Sequence, residues 1–220
     1  LTRLDEDGEL WVGVIVYAGK HATAGLDLPK FAGSMREGSS KYTDEGVDPF
    51  NMKRRCTKPV VTAVQGICFT VGIEMMLGSD IVVAADDCRF CQMEPKRGIG
   101  VFGGAHARYV ERAGWGNAMY HLLRADEFGS ERALQLGMVQ EVVPAGEQQD
   151  RAMELAQEIA ENAPLAVQWI KRASTAWLLE GEQASFDLIP QMKQETANSA
   201  DAKEGVQSFI ERRKAVFTGK

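Results

Sequence analysis

Runs of apolar, mostly β-branched residues alternate along the chain with shorter segments rich in glycine and charge. Residues Trp11–Ala18, Val60–Val64 and Ile81–Ala85 are apolar almost throughout, and glycine, glutamine or aspartate bounds each run. Such runs predict strands that are buried on both faces of a parallel sheet. A fourth strand is predicted near Val139–Val143. The pattern therefore favours an α/β architecture with stacked β-α-β turns, followed by a helical tail.

The densest succession of elements lies between residues 58 and 104. Its predicted order is a strand, a tight turn at Gln65–Gly66, a short strand, a helix that begins at Gly72, and then two further strands. Glu74 falls in the first turn of that helix, and the last short strand leads to Glu94. Both glutamates therefore lie in apolar or glycine-rich surroundings.

These two glutamates are candidates for proton transfer. A helix N-terminus offers unpaired N–H groups and the positive end of the helix dipole, which can hold the oxyanion of a polarised carbonyl. Carboxylates of Glu74 and of Glu94 could then move protons beside that carbonyl. The alternative is structural, because acids are favoured at helix N-termini in any case. Glu74 would then cap its helix, and Glu94 would be a solvated loop acid.

Four segments of this region match one family pattern: KPVVTAVQG at 58–66, GIE at 72–74, SDIVVAADDCRFCQMEPKRGIG at 79–100 and GG at 103–104. They resemble the crotonase (enoyl-CoA hydratase/isomerase) superfamily. The resemblance implies a spiral of β-β-α units with a C-terminal helical trimerisation region. The chain departs from the family pattern in having Thr70-Val71-Gly72 for a run of glycines, Met93 for a proline, and a shorter glycine loop without its proline.

The resemblance also implies a site for a 2-enoyl-CoA thioester. Glu74 and Glu94 match the two catalytic glutamates of the hydratases. Leu26 and Val71 match the positions whose backbone N–H groups form the oxyanion hole. The remaining residues that the resemblance implies in binding substrate or coenzyme A are Ala24, Gly25, Asp27, Gly72, Phe209 and Arg212. The alternatives left open are that Asp27 caps a helix, Phe209 belongs to the core and Arg212 lies on a solvated face.

Three functions compete on this evidence. The first is an enoyl-CoA hydratase, which the presence of both glutamates favours. The second is an enoyl-CoA isomerase or another acyl-CoA lyase, for which one glutamate suffices. The third is a catalytically idle oligomeric or RNA-binding relative. Its discriminating test is salt-dependent retention of RNA, and the net charge of −6 argues against a nucleic-acid partner.

The resemblance further implies a homotrimer or a dimer of trimers, with no permanently bound cofactor and with coenzyme A entering as part of the substrate. Residues 1–144 are expected to form the α/β core, from which the N-terminal unit of the family is missing. Residues 145–220 are expected to form the helical region. No apolar run approaches the roughly 20 residues that a membrane span needs, so we expect a cytoplasmic protein without a membrane partner.

The cysteines and histidines supply further expectations. The pair Cys88 and Cys91 has CxxC spacing, but alternation along a strand would turn the two thiols to opposite faces, so we expect no metal site. His21 is a candidate base, although an ordinary surface histidine is favoured.

Residues 29–50 are rich in glycine, serine and charge and predict a mobile loop with one helical turn. By the resemblance, Phe31, Met35 and Phe50 in this segment are candidate walls of the acyl pocket.

Overall fold

The computed structural model describes residues 1–36 and 45–220, and its strands form two sheets. The strands are β1 Gly13–Ile15, β2 Val60–Val64, β3 Ile67–Phe69, β4 Ile81–Ala85, β5 Arg89–Cys91, β6 Phe128–Gly129 and β7 Glu141–Val143. The first sheet has the order β1-β2-β4-β7, and the second has the order β3-β5-β6. The predicted strands at Val60–Val64 and Ile81–Ala85 are confirmed with their bounds.

Both sheets contain parallel strand pairs. In the first sheet β2 pairs with β4 and β4 pairs with β7, each in parallel register. In the second sheet β3 pairs in parallel with β5, and β6 closes the edge in antiparallel register. Every residue of β2 is buried, as are four of the five in β4, which agrees with their continuous apolar sequence.

The helices follow the strands in a repeating order. They are α1 Thr2–Glu6, α2 Leu28–Arg36, α3 Val71–Leu77, α4 Ala105–Arg124, α5 Ser130–Gln135, α6 Gln148–Ala160, α7 Pro164–Glu180, α8 Glu182–Asp187, α9 Ile189–Ala197 and α10 Ala200–Glu211, with a 3₁₀ helix at Glu94–Arg97. Two successive units each place one strand in the first sheet, the next strand in the second sheet, and then a helix. These units are β2-β3-α3 and β4-β5 followed by the 3₁₀ helix and α4.

Two elements differ from the sequence prediction. The strand predicted over Trp11–Ala18 is reduced to Gly13–Ile15. The Gln65 side chain amide donates to the carbonyls of Tyr17 and Gly19, at 2.7 and 3.0 Å, and so takes acceptors that a longer strand would have used. The loop predicted over residues 29–50 begins instead with the nine-residue helix α2. The rest of that prediction falls partly on residues 37–44, which lie outside the described residues.

One apolar core underlies the two sheets. It contains residues from β2, β4 and β5 and buries the whole of Ile73 and Met76 on the inner face of α3. Helix α4 adds Tyr109 and Leu122, although its backbone breaks at Gly114, where φ is 73°. Helix α3 is therefore held on a rigid support, which fixes the side chains of its first turn.

The structure divides into two compact units. The first contains residues 1–2, 14–56 and 60–154, apart from the stretch outside the described residues, and it holds both sheets except Gly13, the first residue of β1. The second contains residues 3–13, 57–59 and 155–220, and it is mainly helical. The expected division at residue 144 into a core and a helical region stays a prediction.

The second unit is stabilised by buried polar contacts of its own. Asp201, which is 3% exposed, accepts hydrogen bonds from the backbone N–H groups of Thr218 and Gly219 at 2.7 and 2.9 Å. The indole N–H of Trp169 donates to Glu195 at 2.9 Å. None of the helices in the described part of the chain is long and apolar enough to cross a membrane.

Candidate active site

Two chain segments run side by side toward the start of helix α3. Thr23 forms a parallel bridge with Cys68, with hydrogen bonds from Thr23 N to Ile67 O at 3.0 Å and from Phe69 N to Thr23 O at 2.9 Å. Leu26 and Val71 each follow this bridge by three residues. The parallel register thus directs both residues to the same end of the paired segments.

The N–H groups of Leu26 and Val71 are available as donors. Val71 is the first residue of α3, where no intrahelical acceptor exists for its N–H. Over residues 1–36 and 45–220, no acceptor lies within hydrogen-bond distance of either N–H. Both residues line one cleft. Backbone N–H donors of this kind are the groups from which an oxyanion hole is built.

The backbone at Thr70 is held in a rare conformation. Thr70 precedes α3 with φ 49° and ψ −112°, a region that β-branched residues seldom adopt. Its N–H donates to Cys91 O at 3.0 Å, and its carbonyl accepts from Glu74 N at 3.1 Å. A Cβ on Gly25, where φ is 111°, would lie 2.5 Å from the Thr70 hydroxyl. The loop of Gly25 therefore packs directly on Thr70, and a side chain at Gly25 would force the two apart.

Glu74 projects from the first turn of α3 into a buried position. Its side chain is 5% exposed, and its carboxylate accepts N–H groups from Gly103 at 2.7 Å and from Ala105 at 3.4 Å. Burial raises the pKa of Glu74, while these two N–H groups and His106 act to lower it. The backbone donors therefore favour the ionised carboxylate, against the effect of burial.

Glu94 begins the 3₁₀ helix and has a different environment. It is 8% exposed, and its Oε2 is buried with no hydrogen-bond partner among the described residues. Burial is the main cause that raises the pKa of Glu94 to about 7, and the charge of Glu74 raises it further. At neutral pH this carboxyl group is therefore poised both to give and to take a proton.

Both carboxyl groups face the same cleft. It has an empty volume of about 550 Å³ that includes open solvent. Its lining is largely apolar, with the two glutamates, Thr70 and Arg97 as its polar side chains; the residues are Ala24, Gly25, Leu26, Leu28, Thr70, Val71, Glu74, Met93, Glu94, Arg97, Ile99, Gly100 and Phe102. A largely apolar cleft with few convergent polar groups and perturbed carboxyl pKa values is the expected form of a small-molecule site.

The structure brings together six of the ten residues named from the sequence. Ala24, Gly25, Leu26, Val71, Glu74 and Glu94 all line the cleft. Gly72 is absent from the lining, because it packs beneath it: a Cβ there would lie 2.6 Å from Thr23 Cγ2. Asp27 directly precedes α2, where its carbonyl accepts from Lys30 N and its carboxylate pairs with Lys30 at 2.8 Å.

Four other candidates lie elsewhere. Phe209 and Arg212 belong to the second compact unit, where Phe209 is 84% exposed and thus not a core residue, and Arg212 ends α10. The pocket-wall candidates Phe31 and Phe50 are not in the lining; Phe31 is exposed and Phe50 is buried, and the side chain of Met35 lies outside the described residues.

Three other side chains from the sequence analysis have structural roles. His21 accepts the N–H of Ile67 at 3.1 Å through Nδ1, which ties its loop to β3. Cys88 and Cys91 are free and buried, and their thiols donate to the carbonyls of Val64 and Ala125. The described residues contain no group of three or more side chains suited to a metal ion.

Sequence reasoning missed two features of the site. The first is the contact of Gly103 with Glu74, which spans 29 residues of sequence. The Gly103-Gly104 pair was the available signal: a Cβ on Gly103 would lie 2.5 Å from Glu74 Oε2. The second is Arg97 in the cleft wall, which is signalled only by its spacing of three residues from Glu94.

The chain is similar in sequence to proteins of one known family. The family model described as Enoyl-CoA hydratase/isomerase matches residues 1–220. The enoyl-CoA hydratase EchA19 of Mycobacterium tuberculosis is 32% identical over 220 residues, covering 98% of this chain and 82% of that protein. The carnitinyl-CoA dehydratase of Escherichia coli O157:H7 is 32% identical over 227 residues, covering 98% of this chain and 84% of that protein.

Solved structures of the same family are similar to this chain in fold. A probable enoyl-CoA hydratase/isomerase from Mycobacterium abscessus is 40% identical with a TM-score of 0.96, covering 100% of this chain and 85% of that chain. An enoyl-CoA hydratase from Mycobacterium tuberculosis is 34% identical with a TM-score of 0.89, covering 99% of this chain and 84% of that chain. These likenesses confirm the crotonase-like α/β fold expected from the sequence.

Proposed function

The chain belongs to the enoyl-CoA hydratase/isomerase family, and from that premise we propose that it adds water across the double bond of a 2-enoyl-CoA thioester. The observation that carries the proposal is the pair of buried carboxyl groups, Glu74 and Glu94, which line one cleft in unlike environments. Relatives named as hydratases, including the short-chain-enoyl-CoA hydratase of Clostridium acetobutylicum at 30% identity, support the same reaction class.

In the proposed reaction the thioester oxygen sits between the N–H groups of Leu26 and Val71. As water attacks C3 of the acyl chain, charge builds on that oxygen and the intermediate becomes enolate-like. The two donors stabilise this charge without reorganisation, since the backbone already holds them. Removal of one such donor typically raises the barrier by about 2.7–4 kcal/mol. The Ala24–Gly25 segment then borders the pantetheine arm of coenzyme A.

The two glutamates divide the proton transfers. Glu74, whose ionised form is favoured by two backbone N–H groups, takes a proton from the attacking water. Glu94, whose pKa is about 7, delivers a proton to C2. One water is consumed, its hydroxyl ends on C3, and the proton held by Glu74 returns to Glu94 through solvent. The unequal pKa causes support this division, although the two carboxyl groups titrate as a coupled pair.

An enoyl-CoA isomerase is the second candidate. One observation favours it: Glu94 has a carboxyl pKa near neutrality and an oxygen without a partner in the described residues, so it can carry a proton between two carbons by itself. In that case Glu74 would serve only to shape the cleft. The two reactions therefore differ in how much they depend on Glu74.

The assembly is proposed to be a homotrimer or a dimer of trimers. Support comes from the second compact unit, whose helices expose large apolar side chains, among them Trp177, Phe186, Phe209 and Ile210. Exposed apolar surface of this kind marks contact sites. Sedimentation at micromolar concentration would test the assembly, and a monomer would contradict it.

Three further expectations complete the proposed function. Phe209 and Arg212 bind the adenine end of coenzyme A, while Asp27 and Gly72 hold the backbone of the binding loops. No cofactor stays bound between turnovers, because coenzyme A arrives with the substrate. A cytoplasmic location is proposed from the four free cysteines, which suit a reducing compartment.

The test is a pair of isosteric substitutions. Glu74→Gln and Glu94→Gln should keep the fold and the binding of coenzyme A esters but lower kcat for but-2-enoyl-CoA about 10²–10⁴-fold each. Their effects should be non-additive, because both groups act on one water. Glu131→Gln is the matched control, since Glu131 lies exposed in the first turn of α5.

Each reaction predicts a different outcome of this test. A hydratase loses activity in both variants, whereas an isomerase is inactive after Glu94→Gln and nearly unchanged after Glu74→Gln. Mass spectrometry of products from a panel of acyl-CoA thioesters separates the two directly. If both variants hydrate the substrate at the wild-type rate, the two-glutamate mechanism is wrong.

A further inference from the structure

Arg97 is a polar group of the cleft that the hydration chemistry does not use. It is the last residue of the 3₁₀ helix that Glu94 begins, and both residues line the cleft. In a 3₁₀ helix the side chains of residues i and i+3 eclipse, and the axial rise is about 2.0 Å per residue. Arg97 therefore lies on the same face of the helix as Glu94, about 6 Å farther along its axis.

No side chain in the described part of the chain pairs with the guanidinium of Arg97. Arg97 is exposed to the cleft, and over the described ranges 1–36 and 45–220 it forms no ion pair or hydrogen bond. The charges that shift the two carboxyl pKa values are those of His106 on Glu74 and of Glu74 on Glu94, and Arg97 is not among them. The charge of Arg97 is thus independent of the two carboxyl groups, although the residue lines the same cleft.

The walls beyond Arg97 are apolar. Ile99 and Phe102 follow it in the lining, and Phe102 is 62% exposed. A lone cation in an otherwise apolar wall is unfavourable on contact with an aliphatic chain, because the chain would displace its water. A carboxylate at the end of that chain would replace the water with two parallel N–H···O hydrogen bonds.

We propose that Arg97 selects 2-enoyl-CoA substrates whose acyl chain ends in a carboxylate. The proposal rests on the hydration proposed above and defines its substrate class. In this proposal Glu94 acts at C2, and Arg97, one 3₁₀ turn farther along the helix, meets the distal end of a medium-length acyl chain. The competing source of a negative charge is a phosphate of coenzyme A, which every acyl-CoA shares.

The experiment compares two substrates of equal length, hex-2-enedioyl-CoA and hex-2-enoyl-CoA. The measured quantity is the ratio of their kcat/KM values in the wild type, in Arg97→Met and in Arg97→Lys. Arg97→Met should lower the ratio about 10- to 100-fold, the range for a hydrogen-bonded charge pair. Arg97→Lys should lower it less, because a lysine keeps the charge without the paired donors. Lys96→Met, which removes an adjacent exposed cation outside the lining, should leave the ratio at the wild-type value.

Two outcomes overturn the proposal. If Arg97→Met leaves the ratio unchanged while lowering both kcat/KM values, Arg97 binds the coenzyme A phosphates. If Arg97→Met changes neither value, Arg97 has no part in substrate selection. A charge-reversed pair gives a positive check: Arg97→Glu should shift preference toward 6-aminohex-2-enoyl-CoA.

Binding of the saturated esters adipoyl-CoA and hexanoyl-CoA separates this proposal from the proposed function. Calorimetry should show tighter binding of adipoyl-CoA to the wild type, with the preference lost in Arg97→Met. If that preference is found but neither enoyl-CoA is hydrated, the hydration proposal fails and the role of Arg97 stands. If both enoyl-CoA esters are hydrated and the preference is absent, the role of Arg97 fails alone.

Discussion

Replacement of Gly103 by alanine should displace the carboxylate of Glu74, although Glu74 itself is not substituted. A Cβ at residue 103 would lie 2.5 Å from Glu74 Oε2 and 2.6 Å from its Cδ, whereas ordinary contacts of a Cβ begin near 3.4 Å. The carboxylate must therefore retreat by about 0.9 Å, the difference between 3.4 and 2.5 Å. That movement also lengthens the 2.7 Å hydrogen bond from Gly103 N.

The expected effect on the reaction is large. A misplacement of about 1 Å at a reacting group can cost on the order of 10²-fold in rate. We therefore expect Gly103→Ala to lower kcat for but-2-enoyl-CoA about 100-fold, with a smaller change in KM. The assay is the loss of enoyl thioester absorbance, with circular dichroism to verify that the fold is kept.

A pH profile distinguishes displacement of Glu74 from general damage. The N–H groups of Gly103 and Ala105 lower the pKa of Glu74 against the effect of burial. Loss of the Gly103 bond therefore raises that pKa, and a base with a raised pKa needs a higher pH to ionise. The acidic limb of the kcat/KM profile should move to higher pH in Gly103→Ala.

The matched control is Gly116→Ala, because a Cβ on Gly116 meets no atom within 4 Å. This variant should retain the rate and the pH profile of the wild type. A Gly103→Ala protein with wild-type kcat and an unmoved acidic limb would refute the role assigned to the contact between Gly103 and Glu74.

Three further predictions concern stability. Glu94 has a folded pKa of about 7, above its unfolded value, so its contribution to the free energy of unfolding is complete at low pH and is lost as pH rises toward 7. Glutamine does not titrate, so the free energy of unfolding of Glu94→Gln, measured in urea, should rise relative to the wild type by on the order of 2–3 kcal/mol between pH 4.5 and 7.5. Equal gains at both pH values would contradict this. Thr70→Gly should raise the free energy of unfolding by about 1 kcal/mol, since φ 49° with ψ −112° strains a threonine. A lower free energy of unfolding would show that the packing of the Thr70 side chain outweighs the strain. Asp201→Ala should lower the free energy of unfolding by about 2–4 kcal/mol, because it leaves the N–H groups of Thr218 and Gly219 unpaired. An unchanged urea midpoint would refute the stabilising role of these two hydrogen bonds.

The local parts of the candidate site could be predicted from the sequence. Glu74 lies in the first turn of a helix whose start is marked in the sequence by an apolar strand and a glycine. Glu94 comes shortly after a strand and begins a 3₁₀ helix. Leu26 and Val71 were placed through family motifs. In each case the informative residues lie within a few positions of the side chain, and the strand register then brings them to one cleft.

The parts that could not be predicted depend on contacts distant in sequence. Gly103 reaches Glu74 across 29 residues, and Gln65 shortens β1 by binding carbonyls 46 and 48 residues away. The helix α2 was missed because Leu28–Arg36 contains glycine, serine and proline, which by composition favour a loop.

The difference between the two glutamates arises from the backbone around them. Residues of the same type follow paired strands, β3 and β5, yet one enters an α-helix and the other a 3₁₀ helix. The first is held by N–H groups from a later loop, whereas the second keeps one oxygen without a donor in the described part of the chain. Burial therefore raises the pKa of both carboxyl groups, but only Glu74 has donors that oppose this effect from outside its own helix. A fold that repeats one β-β-α unit can thus give identical side chains different environments, because one follows its strand into an α-helix and the other into a 3₁₀ helix.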